Sequence, residues 1–148
     1  MADLIKRNLG KDYEIFIPLN NHLKDYDLVL MNQKTKKIAK IQVKESREYN
    51  VGMADGWWGI NKKKVFEKVV DFYVFLIYTA EEDGHKMKMR NRVLIVPSDV
   101  LFEKSKGKRE SKGGFDYYFK IQKEEAWEDR EEKIDYSEYI ENYNLLKI

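Results

Sequence analysis

Cysteine is absent from the 148 residues, proline and histidine each occur twice, and no apolar run approaches the roughly 18–20 residues needed to span a bilayer. The missing thiols exclude disulfides, thiolate zinc sites and cysteine nucleophiles together. The two histidines, His22 and His85, are isolated from one another in the sequence and supply no His-rich metal motif. Any metal must therefore be held by oxygen, the preference of Mg²⁺ and Mn²⁺. The first residues, Met-Ala-Asp-Leu-Ile-Lys-Arg, lack the apolar stretch of a signal peptide. A cytoplasmic protein with no membrane partner is the expectation.

Against these absences, 43% of the residues are hydrophobic and three Trp, ten Tyr and seven Phe are available to fill a core. Neither a repeat nor a Pro-rich linker interrupts the chain, so residues 1–148 read as a single domain. The net charge of +2 conceals an uneven distribution. Residues 31–70 carry ten Lys/Arg against four Asp/Glu, residues 86–113 carry nine against three, and residues 114–148 carry five against ten. Two basic stretches suit a polyanion, because Lys and Arg displace counterions from phosphates. Lys-rich solvated loops give the same pattern, and charge alone leaves both readings open.

Residues 2–9 are expected to form one or two helical turns stopped by Gly10, followed by an alternating strand from Tyr13 to Pro18. Two apolar runs, 26–31 and 38–44, flank the polar stretch 32–37 and predict a β-hairpin. The Gly- and Trp-containing segment 49–64 reads as a loop or irregular strand, with a short helix at 63–69. The almost continuously apolar run 72–78 predicts a central strand covered on both faces. Another strand follows at 92–97, where Ser98 is expected to cap a helix starting at Asp99. Residues 104–114 read as a basic loop, 115–121 as a late strand, and the acidic segments near 124–132 and 136–146 as helices. The expected fold class is mixed α/β (α+β), a central mixed sheet flanked by helices.

Chemistry concentrates in the hairpin. Side chains two apart on a strand share a face, so Gln42 and Lys44 are presented together, and pairing with the preceding strand brings Asp27 alongside. An acid, an amide and an ammonium on one patch can serve a hydrolytic metal site. Asp27, the Gln42 amide oxygen and the backbone carbonyl of Val43 are then the protein ligands, and Lys44 orients the attacking water or neutralises phosphate charge. Solvent-facing polar side chains on an ordinary strand give the same alternation. Asp27 is the less ordinary residue, since Asp is disfavoured within strands.

The stretch Tyr-Asp-Leu-Val-Leu at 26–30, followed by Ile-Gln-Val-Lys-Glu-Ser at 41–46, resembles the active-site signature of the PD-(D/E)XK nuclease superfamily. It is most similar to the Gln-x-Lys variants among archaeal endonuclease-like proteins and a homing endonuclease. The stretches Asp-Phe-Tyr-Val-Phe-Leu at 71–76, Val-Leu-Ile-Val-Pro-Ser at 93–98 and Tyr-Asn-Leu-Leu at 143–146 also resemble that group. The resemblance implies a restriction-endonuclease-like fold and Mg²⁺- or Mn²⁺-dependent cleavage of DNA, with Asp27, Gln42 and Lys44 as catalytic residues. It also implies a homo-oligomer, dimer or tetramer, able to cut both strands. The family usually has a first-helix Glu as a further ligand, whereas Asp3, Asp12 and Glu14 are the acids before the hairpin here. A catalytically inactive DNA-binding or assembly module on the same fold is therefore the alternative expectation.

The DNA-contacting candidates are Ser46 beside the catalytic Lys, Trp57 and Trp58 for base stacking, Lys62, Lys63 and Lys64 on the following segment, and Lys106, Lys108 and Arg109 on the basic loop. Core packing for one Trp and solvation for the lysines are the competing readings.

Overall fold

The computed structural model describes residues 1–19, 25–50, 54–83, 86–129 and 132–148, and for 81–83 and 86–89 the backbone alone. His22 and His85 lie outside the described residues. The first helix, α1 (Ala2–Leu9), buries Ile5 and Leu9 and stops at Gly10, whose φ of 84° suits a residue without a Cβ and whose N–H donates to the Lys6 carbonyl. Strands β1 (Tyr13–Phe16), β2 (Leu28–Asn32) and β3 (Ile38–Arg47) follow. The expected hairpin is present, with Leu28 opposite Ile41 and Met31 opposite Ile38.

Strand β4 (Ala54–Asn61) and the short helix α2 (Lys62–Phe66) lead to β5 (Phe72–Asp83) and β6 (Lys86–Pro97). Five strands form one mixed sheet in the order β1-β2-β3-β5-β6, in which β3 and β5 are the parallel pair. Helix α3 (Ser98–Ser105) and strands β7 (Gly114–Gln122), β8 (Glu125–Glu128) and β9 (Ile134–Asp135) follow, then two 3-10 turns at Ser137–Tyr139 and Tyr143–Leu146. A second, antiparallel sheet has the order β4-β7-β8-β9. The architecture is mixed α+β. Among the described residues no helix is long and apolar enough to cross a membrane.

Strand β5 explains its own composition. Its residues Tyr73, Phe75 and Ile77 belong to the core shared with the second sheet, while Val74 and Leu76 belong to the core under α1. Both faces are buried, as its unbroken apolar run requires. The core between the sheets is aromatic, with Phe75 4.8 Å from Phe119 and 5.1 Å from Trp58 between ring centroids.

Four expectations are corrected. Segment 54–61 is a regular strand, because alternation within it buries Trp58 and Ile60 while Trp57 and Gly59 face outward. The acidic segment 124–132 is no helix where it is described: Ala126 and Glu128 point inward along β8, so its period is two. Residues 136–146 form only 3-10 turns, with Tyr136, Tyr139 and Leu146 buried. Ser98 is the first residue of α3, not its cap, and its hydroxyl donates to the Val70 carbonyl.

Gly56 carries a sharp packing constraint. A Cβ built there would meet the Trp58 ring at 2.3, 2.8 and 2.9 Å, and that ring is held between Phe75 and Phe119. Gly56→Ala is expected to cost about 1–3 kcal/mol through overpacking. Urea denaturation measures it, and a midpoint equal to that of the parent would show that the ring can yield.

Candidate active site

Asp27 sits one residue before β2 begins, and its backbone N–H still donates to the Ile41 carbonyl at 2.9 Å, extending the hairpin pairing by one step. Its side chain then occupies the edge of β3. One oxygen, Oδ2, accepts from the Val43 backbone N–H at 2.7 Å and from the Gln42 side-chain amide. Backbone N–H and C=O of one strand residue point to the same edge, so the Val43 carbonyl is also turned toward this side of β3. The opposite edge of β3, from Ile41 to Arg47, is taken by β5.

Gln42 lies opposite Tyr73 and Lys44 opposite Phe75, which places both on the face turned to the second sheet. Lys44 is half-buried, and burial pushes its ammonium below the ordinary lysine range. The Asp27 carboxylate pulls it back up, and the Lys64 cation pushes it further down. The predicted acid, amide and amine are therefore brought together, and Asp27 is the anion that acts on Lys44.

Sequence reasoning missed two further neighbours, Asp25 and Tyr73. Lys64, already among the nucleic-acid candidates, is paired with Asp25 at 2.9 Å and stands apart from Lys62 and Lys63 by its effect on Lys44. Asp25 also bears on Tyr73, whose hydroxyl is pushed up to about 12, first by burial and then by that carboxylate. Tyr73 is the residue opposite Gln42 in the register, and its hydroxyl is buried with no hydrogen-bond partner among the described residues. The two-residue spacing of Asp25 and Asp27 was a readable signal. The position of Tyr73 was not, because it depends on a parallel register set more than twenty residues away from Gln42.

Glu45 lies on the opposite face of β3 and, with Asp27, Leu28, Val43, Met1, Ala2 and Ile17, lines an open hollow of about 540 Å³. The N-terminal turn of α1 thus reaches the site, but it brings Met1 and Ala2 and no glutamate. Asp3 is exposed on that turn. Asp12 pairs with Lys34 at 2.8 Å near the hairpin turn, the far end of β2 from Asp27, and Glu14 is exposed opposite Met31.

Among the described residues no three His, Cys, Asp or Glu side chains gather as a metal-holding group. The donor set of carboxylate, backbone carbonyl and amide is all oxygen and fits a hard cation, with a single negative charge. In the present arrangement Gln42 offers its NH₂ to Asp27. To offer its oxygen to an ion the amide must turn over.

The nucleic-acid candidates divide. Trp57 is 53% exposed and lies 6.4 Å from the exposed Tyr49 ring, whereas Trp58 is buried in the core and cannot stack on a base. Lys62 pairs with Glu110 at 2.8 Å and Lys63 with Glu67 at 3.8 Å, both exposed pairs of little strength that leave the cations available to a phosphate. Lys106 is exposed against Glu103, and Arg109 is exposed. Lys108 is drawn into a buried ion pair with Glu128, so it serves the fold and not the surface. The Ser46 hydroxyl donates to the Arg47 carbonyl at 2.8 Å.

Comparison with protein-family models, with curated proteins and with solved structures finds no match to this chain.

Proposed function

We propose that the chain is a divalent-metal-dependent endonuclease of the PD-(D/E)XK type that hydrolyses DNA phosphodiesters. The observation that carries this reading is the convergence of the Asp27 carboxylate, the Gln42 amide and the half-buried Lys44 amine at one edge of β3. The helix α1 against a five-stranded mixed sheet supports a restriction-endonuclease-like core. The second sheet has no place in that expectation. Cutting both strands of a duplex calls for more than one copy, so a dimer or tetramer belongs to the proposal.

In this reading Asp27 and the Val43 carbonyl hold Mg²⁺ or Mn²⁺, joined by the Gln42 oxygen once the amide has turned. The bound cation supplies Lewis acidity and a water of lowered pKa. Lys44 Nζ holds a proton beside the phosphate and offsets charge growing on it. Its lowered proton affinity places that group nearer neutral pH than an ordinary lysine. Lys64, partly offset by Asp25, keeps a second cation at the same mouth.

Supercoiled plasmid incubated with the protein and Mg²⁺ or Mn²⁺ is the direct test: nicking that stops with EDTA is expected. A second reading, a DNA-binding or assembly module without turnover, is favoured by the single carboxylate of the donor set. Salt-sensitive DNA binding without nicking in either metal would select it.

Lys44→Met separates chemistry from stability. It is expected to abolish nicking yet raise the melting temperature at pH 7 by on the order of 2 °C, since it removes a cation disfavoured by burial. The folded lysine has the lower proton affinity, so the unfolded chain binds more protons in the window between the folded value and 10.5. The cost is full below that window and fades as pH rises through it. The advantage of the variant should shrink correspondingly in melts toward pH 10.5, and a constant difference at all pH values would rule out burial of the charge as its source.

A further inference from the structure

The face of the first sheet turned away from α1 is only partly covered. In β2 and β3 the residues facing α1, Leu28, Leu30, Ala39 and Ile41, join its core, and those between them point the other way. The registers set the outward side chains of β1, β2 and β3 in two rows: Glu14, Met31 and Ile38 in one, Phe16, Val29 and Lys40 in the other. Phe16 is 48% exposed and Ile38 59%. Val29 and Met31 are half-buried and belong to neither core. The second sheet packs instead on β5 and β6, where Phe75, Ile77, Leu94 and Val96 join its core.

An apolar centre is therefore left open, with a charge at each of two corners. Glu14 and Lys40 stand diagonally opposite one another, and Phe16 and Ile38 occupy the other diagonal. Neither charge is answered within the described residues. Glu14 is exposed without an ion-pair partner among them, and Lys34, in the hairpin turn, is held by Asp12 at 2.8 Å. The exposed Lys40 ammonium lies 5.5 Å from the centre of the Tyr26 ring, a contact that leaves its charge in place. Four apolar side chains offer little to a phosphate backbone. A patch with one charge of each sign at opposite corners is instead its own complement.

We infer that this face pairs with the same face of a second copy of the chain. A two-fold axis along the Phe16–Ile38 diagonal lays each of those side chains on its counterpart and brings the Glu14 corner of each copy against the Lys40 corner of the other. At about 4.8 Å between strands and 3.4 Å per residue, that axis crosses the strands of the two copies at roughly 70°, near the orthogonal class of sheet packing. The patch is small against the roughly 800 Å² per partner of a standard interface, so the pair is weak and concentration-dependent. Gln42 follows Lys40 by two residues on the same face of β3, so the Asp27 site of each copy lies at the margin of the interface. The pairing does not depend on turnover at that site.

Sedimentation velocity from about 1 to about 500 μM is the test. The parent is expected to shift from monomer toward dimer across that range, and Ile38→Asp, a change at an exposed position, to remain monomeric. Glu14→Lys and Lys40→Glu each put like charges at both corners and are expected to associate at least about tenfold more weakly than the parent. Mixed in equal amounts, these two variants are expected to form a heterodimer at least as readily as the parent dimerises, because one presents two lysines and the other two glutamates. Such recovery arises only between copies, and it shows that both variants are folded. A parent that stays monomeric, a dimer unmoved by Ile38→Asp, or a mixture that associates no better than its components overturns the proposal. A monomeric parent whose DNA affinity falls in Ile38→Asp overturns it too, and assigns the face to the nucleic acid. Nicking is read in none of these arms, so failure here leaves the hydrolytic reading of Asp27 to its own test.

Discussion

Asp27→Asn is expected to abolish metal-dependent nicking, by roughly 10³-fold, while leaving the fold almost as stable as the parent. The reason lies in how the side chain is used. The two donors that reach it among the described residues, the Val43 N–H and the Gln42 amide, end on the same oxygen, Oδ2. An asparagine carbonyl placed there accepts both, so the substitution removes a charge without removing a bond. Asp27→Ala removes both bonds as well and leaves two donors unmet at the edge of β3, which costs about 1–3 kcal/mol. Plasmid nicking and thermal melts on the two variants therefore separate the roles. Asn is expected to be inactive and stable, Ala inactive and less stable. Retained nicking in the Asn variant would remove Asp27 from the chemistry, and with it the nuclease reading.

The second large effect belongs to the Lys108–Glu128 pair. Glu128 is fully buried on β8 and the Lys108 side chain is 9% exposed, with its ammonium 4.9 Å from the centre of the Tyr117 ring. Removing one partner of such a pair leaves a charge in the interior, and Glu128→Ala is expected to cost about 3–5 kcal/mol. Against a typical total of roughly 5–15 kcal/mol, that is a large share. The double variant Lys108→Met/Glu128→Leu replaces both charges with apolar volume and should recover most of the loss. Urea denaturation of the single and double variants measures the coupling. A single-variant loss under about 1 kcal/mol would mean that water reaches the pair, contrary to its burial.

The hairpin and its three chemical side chains were readable because the rule involved is local. A period of two places Gln42 and Lys44 on one face, and a polar stretch between two apolar runs folds Asp27 back against them. The two-sided burial of β5 was readable for the same reason. The second sheet was not. Its first strand looks like a loop, since Gly56 and Gly59 surround the tryptophans, and Gly56 is there to admit the Trp58 ring. Its later strand looks helical because Glu125 and Glu128 make the segment acidic. A partner distant in sequence, Lys108, meets Glu128 where it points inward. The parallel pairing of β3 with β5 likewise determines that Tyr73 meets Gln42, and no nearby pattern encodes it. The basic runs indicated charge but not its employment: Lys62, Lys63 and Lys64 look alike in the sequence, and only Lys64 acts on Lys44.

The path of the chain between the two sheets has a consequence for how the molecule comes apart. It completes β1 to β3 in the first sheet, crosses to the second for β4, returns for β5 and β6, and crosses again for β7 to β9. The last turns then come back to the first sheet, where Glu141 N–H meets the Val93 carbonyl and Asn32 donates to the Ile148 carbonyl. Neither layer is a continuous piece of chain, so neither can peel away while the other persists. Amide hydrogen exchange should accordingly report one common opening event for β4, β5 and β7, with protection close to the global unfolding free energy in all three.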